Sequence, residues 1–273
     1  MKNSELSQSY IISPDVSKVR LKRSVRGKDQ LGRGIDINVV EERPLTIFLN
    51  AREIVTSMTI GDYPEYLALG FLRNQGMLFC HDKITGIDYD EELETVVVRT
   101  SRKTDYEKKL SKKTRTSGCA IGTVFGDMIE GLKDLHLPQT PLKTSWLYVL
   151  GRQINQTPSL YLDAGAIHGT VLCQEDKPLV YMEDVGRHNA IDKIAGYMFL
   201  NNITSEDKIF YTTGRLTSEM VIKSVQMGIS IVISRSGFTA WGVELAKTAK
   251  ITLIGRAKGK RFITLSGEQR IEK

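Results

Sequence analysis

From residue 207 onward the chain alternates short apolar runs with runs of helical period: strand 208–212, helix 217–227, strand 229–234, helix 239–249, strand 251–255. No other feature restricts the fold as much, because strand–helix–strand units build parallel strands joined by right-handed crossovers. Ile229, Ile231, Val232 and Ile233 are apolar without strict alternation, as a strand covered on both faces requires. Val221, Ile222 and Val225 give the first helix an apolar stripe, and Gly228 marks its end.

At the carboxyl end of each of these strands the sequence turns to glycine, arginine and hydroxyl. Gly214 and Arg215 follow the first, Ser234, Arg235 and Ser236 the second, and Arg256, Ala257, Lys258, Gly259, Lys260 and Arg261 the third. Parallel strands put those ends on one rim, where glycine backbone, helix N-termini and arginine forks make a site for a polyanion, most simply a pyrophosphate. A solvated basic rim is the plainer alternative for any single Gly-Arg pair.

Upstream, the acids Glu183 and Asp184 lead into Gly186, Arg187, His188 and Asn189, between a strand pattern at 179–182 and helix-spaced Ile191, Ile194, Ala195 and Met198. Asn189 reads as an N-cap with Asp192 as a capping-box acid, while Gly186 and Arg187 offer close approach and a fork of donors to an anion. The competing reading is a capped helix with a solvated arginine. His168 and His188 are candidates for proton transfer or for hydrogen bonds within the core.

The bulk numbers narrow the class. A chain of 273 residues, 41% hydrophobic and 26% charged, has room for one large or two modest domains. The net charge of +6 favours anionic partners, yet with 7% aromatic residues there is no basic stripe interleaved with stacking rings, so nucleic acid is not an expected partner. No run is long and apolar enough to cross a bilayer, which predicts a cytoplasmic protein without a membrane partner. Cys80, Cys119 and Cys173 are too scattered for a disulfide framework and fit a reducing compartment.

Residues 1–40 read as a flexible basic arm, with Arg20, Lys22, Arg23, Arg26 and Lys28 close together. Residues 41–135 read as a smaller α+β part. Paired strands at 45–49 and 53–58 flank Asn50, Asp62 and Glu65 form a capping box for a helix through Leu67, Phe71 and Leu72, and a further strand covers 95–100. A cationic loop containing Arg102, Lys103, Lys108, Lys109, Lys112 and Lys113 then leads to Gly118, Cys119 and Gly122, ahead of a helix pattern. A positive field and a nearby helix N-terminus favour thiolate, which makes Cys119 the candidate catalytic nucleophile. Cys173, embedded between apolar residues, reads as core. Residues 136–273 form the C-terminal α/β domain.

The run from Asp184 through Lys193, Gly214-Arg215 with Ser218-Glu219-Met220, and Ile233-Ser234-Arg235-Ser236 resemble the formate dehydrogenase accessory sulfurtransferases, the FdhD family, over residues 41–262. The resemblance implies a cytidine-deaminase-like layered α/β fold and a homodimer. It also implies a sulfur carrier whose Cys119 takes sulfur from a cysteine desulfurase as a persulfide and passes it to the molybdenum cofactor, bis-molybdopterin guanine dinucleotide, for formate dehydrogenase. The family's cofactor-binding stretch falls on residues 256–261, where Lys258 stands for a usual arginine and Arg256 for an aromatic. Gly122 replaces the second cysteine of a frequent Cys-x-x-Cys pair, which removes thioredoxin-like exchange but not a one-sulfur carrier. A zinc deaminase would need a His-x-Glu motif, and His168 is followed by Gly169 and Thr170, so no metal site is expected. A non-catalytic cofactor or guanine-nucleotide-binding chaperone remains the alternative.

Overall fold

The computed structural model describes residues 10–102, 132 and 136–272. The chain first forms an antiparallel hairpin, β1 (Lys22–Lys28) and β2 (Gly34–Val40). This corrects the flexible arm expected up to residue 40. The alternation of Ile35, Ile37 and Val39 is a strand signal that the surrounding charge had outweighed.

Next come β3 (Arg43–Leu49), β4 (Arg52–Thr59), α1 (Pro64–Asn74), β5 (Ile84–Asp90) and β6 (Thr95–Thr100). The four strands form a sheet in the order β4-β3-β6-β5, with β3 and β6 parallel and the outer pairs antiparallel. Leu45, Ile47 and Leu49 point inward at the strand period and meet Leu67, Ala68 and Leu72 of α1. The turn at Asn50 has φ 56°, a left-handed value asparagine tolerates. The predicted capping box is absent: α1 starts after Tyr63 with Pro64 at its first position and no side-chain cap. Asp62 is drawn instead into the core, where it meets Lys193.

The C-terminal part contains β7 (Leu142–Lys143), α2 (Thr144–Gln156), α3 (Leu160–Asp163), β8 (His168–Gln174), β9 (Lys177–Asp184), α4 (Arg187–Leu200), β10 (Lys208–Thr212), α5 (Ser218–Gln226), β11 (Ile231–Ser234), α6 (Ala240–Thr248), β12 (Thr252–Lys258), β13 (Arg261–Ser266) and β14 (Ile271–Glu272). Six of these strands make one mixed sheet, β13-β12-β11-β10-β8-β9. At its centre β10, β11 and β12 are parallel, as the alternation predicts. Ile209, Tyr211, Ile231 and Ile233 pack toward Leu147, Leu150 and Ile154 of α2, while Phe210, Val232 and Leu253 pack toward α4, α5 and α6. Helices thus cover both faces, which explains why the central strands lack polar alternation. The outer edge at β9 is covered in turn, since Ile11 N–H donates to the Leu179 carbonyl at 2.7 Å and Tyr181 N–H to that of Ile12 at 2.9 Å.

The two parts meet where α1 crosses α4. A Cβ at Gly70 would stand 1.7 Å from the Asp192 carbonyl oxygen, and one at Gly196 would stand 1.9 Å from that of Tyr66. Only glycine at both positions lets the two backbones come so close. β12 departs from expectation at its far end: it runs on to Lys258 and turns through Gly259, φ 59°, into antiparallel β13. The basic stretch after the third parallel strand is therefore a hairpin.

Candidate functional site

The hairpin and the β11 end enclose an open groove of ≈ 940 Å³, lined by Arg235, Ser236, Gly237, Arg256, Lys258, Lys260, Arg261, Phe262 and Ile263. Five of those side chains are cationic and none is acidic. Arg256 and Lys258 are exposed while Ala257 between them is buried in the core and does not line the groove. The cations are held by partners that leave their charge intact. The Arg256 guanidinium lies over the Phe238 ring at 5.5 Å, and the backbone N–H of Arg256 donates to the Ser236 carbonyl at 2.9 Å. Gly255 makes room for that ring, since a Cβ there would come within 2.6 Å of it. Arg235 lies over Tyr161 at 5.3 Å and donates to Asn155 Oδ1 at 2.7 Å. Phe238, Tyr161 and Asn155 are supporting residues that no local motif announces, because each comes from another element.

Farther along the rim, Gly214 is buried and lies against the stem of Arg187: a Cβ on Gly214 would stand 3.0 Å from Arg187 Cβ. Ser234 ties the loops together, donating to the Gly214 carbonyl at 2.6 Å and accepting from Ser236 N–H at 2.9 Å. It is fully buried and acts behind the rim. Arg215 is exposed. His168, opposite Asp184 on the neighbouring strand, has its imidazole pKa lowered by burial first and by Arg187 and Arg215 next.

Much of the run from Asp184 to Lys193 faces the opposite way from a ligand. Asp184 accepts from Gly186 N–H at 3.0 Å, Asn189 Nδ2 at 2.9 Å, Thr59 Oγ1 at 2.5 Å and Lys193 Nζ at 2.6 Å. Lys193 is fully buried and also meets Asp62 at 2.5 Å and the Glu183 carbonyl at 2.9 Å. Asp192 takes Lys223 at 2.6 Å and Asn74 Nδ2 at 2.7 Å. The predicted caps are thereby corrected. The helix starts at Arg187 with Gly186 as an N-cap that offers no side chain, and Asn189 lies inside it, bound to Asp184 and to the Met58 carbonyl at 2.7 Å. His188, placed on the rim by the sequence reading, is buried 3.0 Å from Glu219 Oε2, and burial pushes its imidazole toward the neutral form. Of this motif Gly186 and Arg187 remain as rim candidates; the rest joins α4 to β4, α1 and α5.

Cys119 and the helix pattern after it lie outside the described residues. Of the other cysteines, Cys173 is fully buried with its thiol pKa pushed up by burial, and Cys80 is exposed. Among the described residues, no three His, Cys, Asp or Glu side chains converge to hold a metal ion, and no helix is long and apolar enough to cross a membrane.

Comparison with known proteins identifies the family. The chain is 31% identical over 239 residues to the sulfur carrier protein FdhD of Bacillus pumilus, covering 85% of this chain and 90% of the relative. It is 31% identical over 240 residues to the protein of the same name from Bacillus subtilis, covering 87% and 91%. A crystal structure assigned as a formate dehydrogenase accessory protein, from Desulfotalea psychrophila, superposes with a TM-score of 0.75 at 28% identity, covering 92% of this chain and 98% of that one. The sequence model of the FdhD/NarQ family matches residues 40–272, from the last residue of β2 to the last strand, and the chain belongs to that family.

Proposed function

We propose that this protein is a sulfur carrier serving formate dehydrogenase, a persulfide sulfurtransferase that loads the molybdenum cofactor. The observation that supports it most directly is the β12–β13 groove, which is cationic on every charged position and within the usual volume range of ligand sites. In this reading Arg256, Lys258, Lys260 and Arg261 hold a guanine-nucleotide pyrophosphate of the cofactor, and Arg187, Gly214 and Arg215 extend the cationic track. Arg235 keeps a planar fork for bidentate contact while Tyr161 fixes its plane.

Cys119 supplies the chemistry. Its thiolate attacks the outer sulfur of a cysteine desulfurase persulfide; a new Sγ–S bond forms as the donor's S–S bond breaks, and the donor's thiolate leaves. The sulfane sulfur changes carrier with no net oxidation. Cys173 is unsuited to this role, since a thiol buried and pushed toward its neutral form is neither accessible nor nucleophilic. The layered fold reads as cytidine-deaminase-like, supported by a mixed sheet with helices on both faces. A cytoplasmic setting fits the free thiols Cys80 and Cys173, and a homodimer belongs to the same reading.

Two measurements test the proposal. Intact mass after incubation with a desulfurase and cysteine gains one sulfur atom in the wild type and in Cys80→Ser, and none in Cys119→Ala. Isothermal titration with GDP shows salt-dependent binding that Arg256→Ala weakens by roughly tenfold or more, the scale of one charge-assisted hydrogen bond, while persulfide formation is unchanged. GDP binding without any sulfur uptake would leave a cofactor chaperone in place of a carrier. Absence of both sinks the assignment.

A further inference from the structure

Both side chains that hold the Arg235 guanidinium beside the groove lie on one short stretch of chain. Asn155, near the end of α2, accepts from Arg235 Nη1 at 2.7 Å, and the Tyr161 ring in α3 lies 5.3 Å from the guanidinium. With four residues, α3 is too short to hold itself in place, and its first N–H groups have no acceptor within the helix. They find one on β9, where Glu183 Oε2 accepts from Leu160 N–H at 2.8 Å and Oε1 from Tyr161 N–H at 2.9 Å. Strand alternation sends Tyr181 and Glu183 to this face of the sheet and Met182 to the other. One buried carboxylate thus fixes the backbone of the residue whose ring supports Arg235. The remaining anchors of α3 are Leu160, packed among Leu21, Ile60 and Ile167, and Asp163, which takes Lys22 and Asn38 of the first hairpin.

That carboxylate sits where protonation matters. Burial pushes the Glu183 carboxyl to about 7, against the pull of its two N–H donors. The titratable side chains facing it are Asp62 ahead of α1, Lys193 of α4 and Tyr181 of its own strand. Despite its burial, Lys193 is kept charged by Asp184 and Asp62, and burial keeps the Tyr181 phenol protonated. Asp62 is itself raised by burial, so replacement of Glu183 is what assigns an effect to it. Hydrogen bonds to an ionised acceptor are roughly twice as strong as those to a neutral one, and α3 is held more firmly when Glu183 is charged.

We propose that Glu183 is a positioning residue for the anion groove: its carboxylate clamps α3 so that Tyr161 presents Arg235 to the phosphates of the ligand, and loss of that negative charge loosens the grip. The inference rests on the reading of the groove as an anion site. Glu183 touches no ligand and acts only through Tyr161. Because binding and ionisation are linked, the contribution of Arg235 is full above about 7 and fades as pH falls through that value.

Isothermal titration of the full chain with GDP tests this, each variant being compared with wild type at the same pH because the terminal phosphate of GDP titrates over the same range. One pH unit above about 7, Glu183→Gln weakens GDP binding by roughly two- to fivefold, the scale of an exposed cation–π contact. One unit below, where the wild-type carboxyl is itself protonated, the two chains bind alike. At the higher pH Tyr161→Leu brings a loss of the same size, and Tyr161→Phe, which keeps the ring, restores wild-type affinity. In an Arg235→Ala background, with no guanidinium left to position, Glu183→Gln and Tyr161→Leu change nothing further; circular dichroism checks that each variant keeps its fold. A Glu183→Gln loss that is absent, equal at the two pH values, or as large without Arg235 overturns the positioning role, while Arg256→Ala still reports the groove. A wild-type chain that binds no GDP overturns the groove and the positioning role together.

Discussion

Replacing Lys193 by methionine tests whether the most ligand-like motif of the sequence is a structural joint. The ammonium sits fully buried between Asp62 at 2.5 Å and Asp184 at 2.6 Å, with the Glu183 carbonyl at 2.9 Å. Methionine keeps the volume of the stem and removes the charge, leaving two carboxylates facing each other in the core. Breaking a buried pair from one side costs about 3–5 kcal/mol, a large share of a total stability of about 5–15 kcal/mol. At about 2–4 °C per kcal/mol the melting temperature falls by roughly 6–20 °C.

The penalty also has a pH signature. Burial already pushes the Asp62 pKa up despite the pull of Lys193, and removing the cation raises it further. The native variant then binds more protons than the unfolded chain over the range between the unfolded carboxylate pKa and the raised one, so its stability rises as pH falls through that range. Adding Asp62→Asn recovers much of the loss, because the amide does not repel the remaining carboxylate. Urea unfolding at neutral and mildly acidic pH reads all three quantities. A Lys193→Met variant within about 1 kcal/mol of wild type would refute the reasoning, since a loss that small matches a surface pair. GDP affinity lost without any loss of stability would return the motif to the binding site.

Two further substitutions probe the frame. Gly196→Ala forces the α1–α4 crossing apart and costs about 3 kcal/mol or more in thermal unfolding, at the upper end of overpacking, because the obstacle is the Tyr66 carbonyl and cannot rotate away. Gly151→Ala, in α2 with nothing within 4 Å of the added carbon, gains up to about 1 kcal/mol. Glu183, which accepts from Leu160 and Tyr161 N–H at 2.8 and 2.9 Å, has its pKa pushed by burial to about 7. That lies above its unfolded value, so the native state keeps the proton longer, and stability falls as pH rises from about 4.5 to 7, by on the order of 3 kcal/mol. Glu183→Gln flattens this part of the profile in melting scans from pH 5 to 8, and a slope equal to wild type would assign it to other groups.

The fold is legible in the sequence where the pattern is local and periodic. The order of β10, α5, β11, α6 and β12 follows from apolar spacing alone, as does the β3–β4 pair around Asn50. The sequence misleads where two meanings share one residue. Asp62, Asn189 and Asp192 have the right types and offsets for helix caps, yet each is taken into the buried network, Asp62 by Lys193, Asp192 by Lys223 and Asn189 by Asp184 and the Met58 carbonyl. A carboxylate in the core requires a cation, and the cation that reaches it overrides a cap that water could equally well satisfy. His188 next to Arg187 illustrates the same limit, because adjacent residues on a helix point in different directions, one to the rim and one to Glu219.

By itself, then, the sequence determined the class of chemistry available. Glycine, arginine and hydroxyl recur after parallel strands, whose ends lie on one rim whatever the details, and that arrangement predicts an anionic ligand. Only the tertiary structure decided which of those residues line a groove. Arg235, Arg256, Lys258, Lys260 and Arg261 converge because β12 continues into a hairpin beside the β11 end, while Ser234, Ala257 and His188 turn inward. The physical reason is that strand and helix periods fix side-chain direction only relative to their own element. Which side becomes core depends on the neighbouring layer, here α2 on one face and α4 to α6 on the other.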